Sequence, residues 1–381
     1  MPFTFKKQIF GFMDLLRFKK LVPNRRKKLE NGSSAALPKS YRVNETAKIL
    51  HPGYQSAKLI GIEQNSADTK TYTLETERPL YFRAGQYVTL GCKVGNSEVS
   101  RPYAISSSPK AALGRKVALT VKKCGFFSGY LFDNAAIGDA FILGDPSGDF
   151  CYEPVKDAKH VVALAGGSGI TPFYSMAQAI ADGTDDYKLT IFYGAKTEHD
   201  LIFKREFDAL SSEKIKTIYV LSDEEKAGYE HGFIGAELLR KYVSGDFTVL
   251  MCGPQAMYEF AQKELNLLNL PLRRIKKEAN CVGTRDAEGK IFKLVVHIGF
   301  DTFTVPADSR ETILTAMERA GLKVPSKCRA GGCGFCHSKL VAGDFSIAGE
   351  DKRRLADSKL GYIHPCCSYP DSDMELIVPK A

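Results

Sequence analysis

The chain has 381 residues, 44% of them hydrophobic and 25% charged; that balance excludes a disordered or membrane-embedded protein, and the length allows two or three domains of ordinary size. The formal charge of +9 is concentrated at one end, because residues 1–30 carry nine Lys or Arg against two acids, a local +7 that leaves only +2 for the rest. A nucleic-acid-binding protein carries its basic face on the folded body, so no nucleic-acid role is expected.

Residues 3–22 place Phe5, Ile9, Phe12, Met13 and Leu16 at helical spacing among Lys6, Lys7, Arg17, Lys19 and Lys20, and Pro23 introduces the basic residues 25–28. The pattern predicts a basic amphipathic helix. Either its apolar side docks on the protein's own next domain, or it lies peripherally at an anionic membrane or an acidic partner. No apolar run is long enough to span a bilayer, and charges interrupt this one too often for a signal peptide. Residues 31–50, headed by Asn31, Gly32, Ser33 and Ser34, read as a linker, so 1–50 is an extension rather than a domain.

From residue 51 to about 155 short β-type runs alternate with Gly, Pro and Asp turns: 72–76, 86–90, 117–121 and 141–143. A small antiparallel β-barrel is expected. Within it lie Arg101, Pro102, Tyr103, Ala104, Ile105 and Ser106, and later the run from Val121 through Gly125 to Ser128. These residues suit a flavin: an Arg to neutralise a phosphate, an aromatic ring to lie against the isoalloxazine, and a Gly-x-x-Ser helix start to hold a pyrophosphate on backbone N–H groups.

Residues 156–275 change character. Buried apolar runs at 160–165, 189–193, 217–221 and 247–251 alternate with helical stretches, the pattern of a parallel α/β sheet. After the first run come Gly166, Gly167, Ser168, Gly169, Ile170, Thr171 and Pro172. Thr171 is a natural N-cap and Pro172 a natural first helical residue, so a helix N-terminus able to receive phosphate is expected there. The last strand ends in Cys252, Gly253, Pro254, Gln255, Ala256 and Met257. Asp223 follows the third strand, where an acid disfavours a 2′-phosphate and favours NADH; Lys196 and Arg205 could take up that phosphate, so NADPH stays open.

Residues 276–290 lose periodicity and read as a tether. In 291–381 a hairpin (292–298 with 302–305) and a helix (311–320) precede Cys328, Cys333 and Cys336, with Cys366 thirty residues further on. C-x4-C-x2-C with a distant fourth thiol is the spacing that holds a plant-type 2Fe-2S cluster, whereas zinc sites more often show paired C-x2-C knuckles. Cys366 and Cys367 are adjacent, and the choice of fourth ligand lies between them. His337 and His364 are expected to be hydrogen-bonded or solvent-facing rather than ligands. The other cysteines show no disulfide framework, which with the cluster motif implies a reducing, cytoplasmic setting.

Residues 327–340 and 362–370 resemble plant-type ferredoxins, and the motifs at Gly85-Gln86-Tyr87, Arg101–Ala104, 125–128, 166–172 and 252–254 resemble, in order and separation, the flavin and nicotinamide domains of the ferredoxin-NADP reductase superfamily. The resemblance implies a multi-domain protein: an antiparallel β-barrel flavin domain, an α/β parallel-sheet nicotinamide domain and a β-grasp (α+β) ferredoxin domain. It implies that Arg101 meets the flavin phosphate, Tyr103 packs on the ring with Ala104, Ser106 and Val121 nearby, Gly125 and Ser128 hold the pyrophosphate, and Cys366 joins Cys328, Cys333 and Cys336 as the fourth cluster ligand while Cys367 stands where the family has Gln. The dinucleotide then falls to Gly166, Gly167, Gly169, Thr171 and Asp223, and the nicotinamide to Cys252, Gly253, Pro254 and Met257. Ala104 departs from the family, whose members carry Ser or Thr there; a backbone N–H or Ser106 could substitute for the missing hydroxyl.

Electron counting joins the modules. A nicotinamide gives two electrons as hydride, the cluster takes one at a time, and a flavin handles both. The domain order resembles reductases of the phthalate dioxygenase reductase and phenylacetyl-CoA oxygenase reductase type. The expectation is an NAD(P)H-dependent oxidoreductase with FAD rather than FMN, a 2Fe-2S cluster and a redox partner such as an oxygenase, with Tyr103 and Cys252 at the hydride-transfer step. Alternatives are a membrane-associated diaphorase, and a non-enzymatic carrier or scaffold suggested by Ala104 alone.

Overall fold

The computed structural model describes residues 11–32, 41–51, 53–278, 285–347 and 349–380. The chain divides into two compact units, Met1–Ala47 and Lys48–Ala381.

In the first unit, helix α1 spans Gly11–Glu30 and continues through Pro23. A proline inside a helix removes one hydrogen bond; here the long side chains of residues 25–29, good helix formers, carry the helix on. The described side chains of α1 are exposed, among them Leu21, Val22 and Leu29. Residues 31–50 do not stay a bare linker, because Arg42–Leu50 forms helix α2, which buries none of its residues. The expected apolar positions Phe5 and Ile9 lie outside the described residues.

The flavin-type module holds strands β1 (Gln55–Ser66), β2 (Thr69–Thr76), β3 (Tyr87–Val94), β4 (Ser97–Ala104), β5 (Lys116–Lys122) and β6 (Ala140–Leu143), with helices α3 (Pro109–Leu113) and α4 (Phe126–Asn134). The strand order is β4-β3-β6-β1-β2-β5. The edges meet through the Ile105–Leu119 bridge and the Ser106 N–H donating to Ala118 O at 2.8 Å, which closes the barrel and removes its free edges. Leu59, Tyr72, Leu74, Val88, Leu119 and Val121 fill the interior, and α4 plugs one end with Phe127 and Leu131.

The nicotinamide-type module has β7 (His160–Gly166), α5 (Thr171–Ala181), β8 (Lys188–Ala195), α6 (Lys204–Ala209), β9 (Ile215–Leu221), β10 (Glu230–His231), α7 (Ala236–Tyr242), β11 (Thr248–Cys252), α8 (Gln255–Asn266) and β12 (Ile275–Lys277). The sheet is parallel throughout, in the order β10-β9-β8-β7-β11-β12. Phe173, Met176 and Ile180 of α5 cover one face, and Tyr258, Ala261 and Leu265 of α8 cover the other. The chain runs outward from β7 to β9 and then returns to β11 on the other side of β7, so the strand order reverses between β7 and β11. Ligands of open α/β sheets bind at the carboxyl ends of strands at such a reversal. Residues 276 and 277, expected in a tether, complete β12, and Glu278 N–H donates to Met251 O at 2.9 Å.

The third module contains β13 (Ile291–Ile298), β14 (Asp301–Asp308), α9 (Ile313–Arg319), β15 (Ser338–Ala342), β16 (Phe345–Ile347), α10 (Leu355–Lys359), β17 (Tyr362–Ile363), β18 (Ser368–Pro370) and β19 (Met374–Val378). Its main sheet, β14-β13-β19-β15-β17, pairs β13 with β14 as a hairpin and with β19 in parallel. Helix α9, capped by Thr312 accepting from Thr315 N–H, lays Ile313, Leu314 and Met317 against Leu294, Val296 and Leu376. This is the expected β-grasp. Arg285 already belongs to it, through its N–H to Arg310 O at 3.0 Å and its guanidinium to Asp371 at 2.8 Å.

Helix α5 ties the first two modules together: Ser175 Oγ donates to Ser107 O and Gln178 Nε2 to Ser106 O, each at 2.7 Å. Strand β4 meets helix α9 and the segment after it to tie the first to the third, through Arg101 and Glu318 at 3.2 Å and Glu98 and Lys323 at 2.8 Å.

Candidate functional site

A cleft of about 1130 Å³ opens where the three modules meet. The barrel contributes Tyr103, Ala104, Thr120, Lys122 and Cys124; the parallel sheet contributes Gly166, Gly167, Gly169, Thr171, Cys252, Gly253, Pro254 and Met257; and the ferredoxin-type module contributes Cys328. All the sequence-expected nicotinamide-site residues except Asp223, but of the flavin set only Tyr103 and Ala104, are therefore gathered around one space, at the strand reversal.

The glycine turn explains its own composition. A Cβ on Gly169 would run into the carbonyl of Cys252, and one on Gly166 would meet Met257 Sδ at 2.7 Å and Pro254 Cδ at 2.9 Å. The turn after β7 and the end of β11 thus touch backbone to backbone where both line the cleft, and the Gly253 N–H donates to the Tyr258 hydroxyl at 3.3 Å. Thr171 does not act as an N-cap: a 3₁₀ turn, Gly167–Ile170, precedes α5, and the Thr171 hydroxyl, already within the helix, donates to Ser168 O at 2.8 Å. Cys252 lies at the cleft floor. Burial pushes its thiol well above the ordinary value, and the neighbouring Glu278 carboxylate adds to that, while the Tyr258 hydroxyl opposes it. At neutral pH Cys252 is a thiol, suited to packing against a ring and unsuited to nucleophilic attack.

Several expected residues sit elsewhere. Val121 is in the barrel interior. The Ser128 hydroxyl accepts from Cys124 N–H at 3.0 Å and Gly125 N–H at 2.9 Å, so it closes the start of α4 and consumes two amides expected for a pyrophosphate. This is the reach-back of a third helical residue to its N-cap. Gly125 and Ser128 lie outside the cleft lining, where Cys124 and Lys122 stand instead. Ser106 is buried and accepts from Thr120 Oγ1 at 3.0 Å, and Thr120 lies 2.9 Å from Thr71 Oγ1. Of these three hydroxyl residues, Thr120 lines the cleft with Ala104, and Ser106 does not. Asp223 is exposed, bonded to the Ser222 hydroxyl at 2.5 Å, and outside the lining; Ser222 and Lys196 are within it. Arg101 also lies outside the lining and is turned to Glu318.

Cleft-lining residues that no sequence pattern announced include Thr120, Glu278, Phe233 and Phe260. The two Phe rings, centroids 5.7 Å apart, line the outer part of the cleft. Phe260 sits one helical turn beyond Met257 on α8, a spacing that could have flagged it; Phe233 lies in an irregular segment with no pattern to find.

The four cluster cysteines converge. The Cys328 sulfur is within hydrogen-bonding reach of those of Cys333 and Cys366, and Cys336 is within reach of Cys366. Ala330 N–H donates to the Cys328 sulfur at 3.4 Å and Phe335 N–H to the Cys333 sulfur at 3.5 Å, the charge-stabilising contacts a thiolate loop requires. Gly331, at φ +78°, passes so near Cys367 that a Cβ would fall 2.7 Å from its sulfur. Cys366 reaches both Cys328 and Cys336, while the Cys367 thiol donates to His364 O at 3.4 Å, so Cys366 is the better placed fourth ligand. His337 pairs with Gly334 O at 2.8 Å; buried His364 pairs with Gly331 O at 2.7 Å and Asp357 at 3.1 Å. Both imidazoles hold the loop, and the thiol set fits a binuclear iron core.

Comparison with known proteins agrees with this geometry. Residues 56–152 match an oxidoreductase FAD-binding domain, 163–263 an oxidoreductase NAD-binding domain and 296–371 a 2Fe-2S iron-sulfur cluster binding domain. The chain is 25% identical over 354 residues to the glycine betaine monooxygenase reductase subunit of Chromohalobacter salexigens, covering 85% of this chain and 95% of that one. It is 28% identical over 349 residues to one component of the 1,2-phenylacetyl-CoA epoxidase of Escherichia coli, covering 83% and 95%. Phthalate dioxygenase reductase superposes with a TM-score of 0.65 at 22% identity, covering 86% of this chain and 98% of that one, and shares the fold. The chain is an oxidoreductase built from a ferredoxin-NADP reductase-type flavin and nicotinamide module, for FAD and NAD, fused to a C-terminal plant-type 2Fe-2S ferredoxin domain.

Proposed function

We propose that this protein is the reductase component of an oxygenase-type system, taking electrons from NADH and delivering them singly to a partner metalloprotein. The observation that carries the reading is that Cys328, a cluster thiol, lines the same cleft as Tyr103 and Cys252. Donor site, flavin wall and cluster loop therefore share one space, and no partner is needed for the first two transfers.

Bound flavin supplies the change from two-electron to one-electron chemistry that nicotinamide and cluster cannot make between them. Tyr103, held 6.4 Å from the Phe127 ring, offers a face for the flavin. The amides of the glycine turn and the N-terminus of α5 hold dinucleotide phosphate. Neutral Cys252, with Gly253 and Pro254, floors the nicotinamide pocket and keeps water from it. Cys333 and Phe335 are exposed on the outer side of the cluster loop, the side from which an electron can leave to another protein.

Anaerobic titration with NADH tests the proposal. The flavin absorbance is expected to bleach and the cluster to acquire the rhombic EPR signal of a reduced 2Fe-2S centre. Bleaching without any cluster signal would leave only a diaphorase.

No described helix is long and apolar enough to cross a membrane. The exposed Leu21, Val22 and Leu29 of α1, among Lys19, Lys20 and residues 25–28, support peripheral contact of the N-terminal unit with an anionic surface.

A further inference from the structure

Where β4 meets α9, two arginines from different modules share one carboxylate. Glu318, 6% exposed, takes Arg101 Nη1 on Oε2 at 3.2 Å and Arg329 Nη2 on Oε1. Arg101 stands two residues before Tyr103, and Arg329 directly follows Cys328; both Tyr103 and Cys328 line the cleft. The carboxylate is thus the centre of a short span joining the flavin wall to the cluster loop.

A second ion pair across this seam is weaker. Glu98 and Lys323 pair at 2.8 Å with both side chains more than half exposed, where solvent screens the attraction. Glu318 and Arg329 are almost wholly buried, and breaking a buried pair strands a charge without solvent. Arg329 also holds a left-handed backbone, φ 53°, which a non-glycine residue adopts only when its surroundings enforce it.

Arg101 donates through Nη1 both to Ser100 O at 2.7 Å and to Glu318. A guanidinium is a planar fork with five donors, so its other edge can meet a phosphate while the first stays on the carboxylate. Two guanidiniums beside one carboxylate leave a net positive charge that an anion balances; burial and then the nearby Arg329 already lower the proton affinity of Arg101, against the pull of Glu318.

We propose that Glu318 is a positioning residue for flavin-to-cluster electron transfer: its carboxylate clamps Arg101 of the flavin module to Arg329 of the cluster loop and so sets the approach of the cluster to the flavin. The inference rests on the reductase reading. With flavin and cluster bound, each transfer would take one electron from the flavin and reduce one ferric iron to ferrous, and the cluster would pass that electron to the partner metalloprotein before taking the second one of each hydride.

The test compares wild type with Glu318→Gln and Glu318→Asp as flavin- and cluster-loaded proteins. In stopped flow, flavin bleaching by NADH is expected to stay within about twofold, while electron arrival at the cluster slows at least about tenfold in Glu318→Gln. Glu318→Asp, which keeps the charge, is expected to recover part of that rate. Ferricyanide reduction taken from the flavin stays unchanged, and the EPR signal of the dithionite-reduced cluster keeps its g values, which separates mispositioning from damage to the cluster. Hydrogen exchange of β4 and α9 amides is expected to quicken in Glu318→Gln, a readout independent of turnover. If Glu318→Gln loads no cluster, Arg329→Gln is read in the same way. Normal flavin bleaching with unchanged cluster reduction and unchanged exchange would overturn the clamp alone; absence of bleaching in the wild type would instead overturn the reductase reading.

Discussion

Gly169 lies directly against the carbonyl of Cys252, two residues 83 positions apart brought together because β7 and β11 are neighbours in the sheet. Gly169→Ala is expected to force the turn and the strand end apart. Overpacking of this kind costs about 1–3 kcal/mol. A KM for NADH raised about tenfold, with flavin content unchanged and a lowered melting temperature, is the expected outcome. An unaltered KM would mean that the turn does not touch the dinucleotide.

The thiol geometry discriminates between two neighbours in sequence. Cys366 reaches Cys328 and Cys336, and Cys367 turns to His364 O. Cys366→Ser is expected to abolish the cluster, and Cys367→Ser to retain it, as measured by iron, acid-labile sulfide and EPR after anaerobic purification. A fully loaded Cys366→Ser protein would reverse the assignment.

Tyr103, on β4, lines the cleft. Tyr103→Ala is expected to weaken flavin retention about tenfold, from lost ring contact, with Tyr103→Phe close to wild type. Equilibrium dialysis of the flavin measures both. Equal affinity in the alanine variant would place the ring elsewhere.

Cys252 gives a pH signature. Its thiol is raised in the folded protein by burial first and by Glu278 second, while an unfolded thiol ionises near about 8.5. Above that pH the unfolded chain gives up a proton that the folded one keeps. The group's stabilisation is therefore complete below about 8.5 and is lost as pH rises toward the folded value. Between about pH 9 and 10, wild type is expected to lose stability faster than Cys252→Ala by up to about 1.4 kcal/mol per pH unit, read from urea midpoints. Parallel curves would show that the thiol ionises freely in the folded state.

The N-terminal unit offers a membrane test. With Leu21, Val22 and Leu29 exposed beside a basic run, the full chain is expected to float with liposomes containing phosphatidylserine and to be released by high salt; a chain lacking residues 1–30 is expected to stay at the bottom of the gradient. Flotation of the shortened chain would move the contact elsewhere.

Local order was readable from residue patterns: the barrel strands, the parallel strands and the ferredoxin hairpin lie where alternation and apolar runs put them, because those periods follow from backbone geometry alone. The cluster loop was readable for the same reason, since three of its thiols are set by a single short segment. Legibility failed where side chains choose between partners. Ser128 reads as a phosphate ligand in sequence but satisfies its own helix start, and Thr171 reads as a cap but lies inside its helix. Residues 42–50 read as linker because a helix that buries nothing leaves only a weak apolar signal.

By itself the chain's residue order determined which side chains are on hand: thiols at cluster spacing, a glycine turn behind a strand, and an arginine and an aromatic ring on one strand. Only the tertiary structure decided how these meet. Glu318 stands 217 positions from Arg101 and Cys328 far from Tyr103, and neither pairing leaves a local trace. Such contacts depend on which module faces lie together, and burial makes a shared carboxylate costly to leave unmatched; that energy belongs to the assembled domains and to no segment of the sequence.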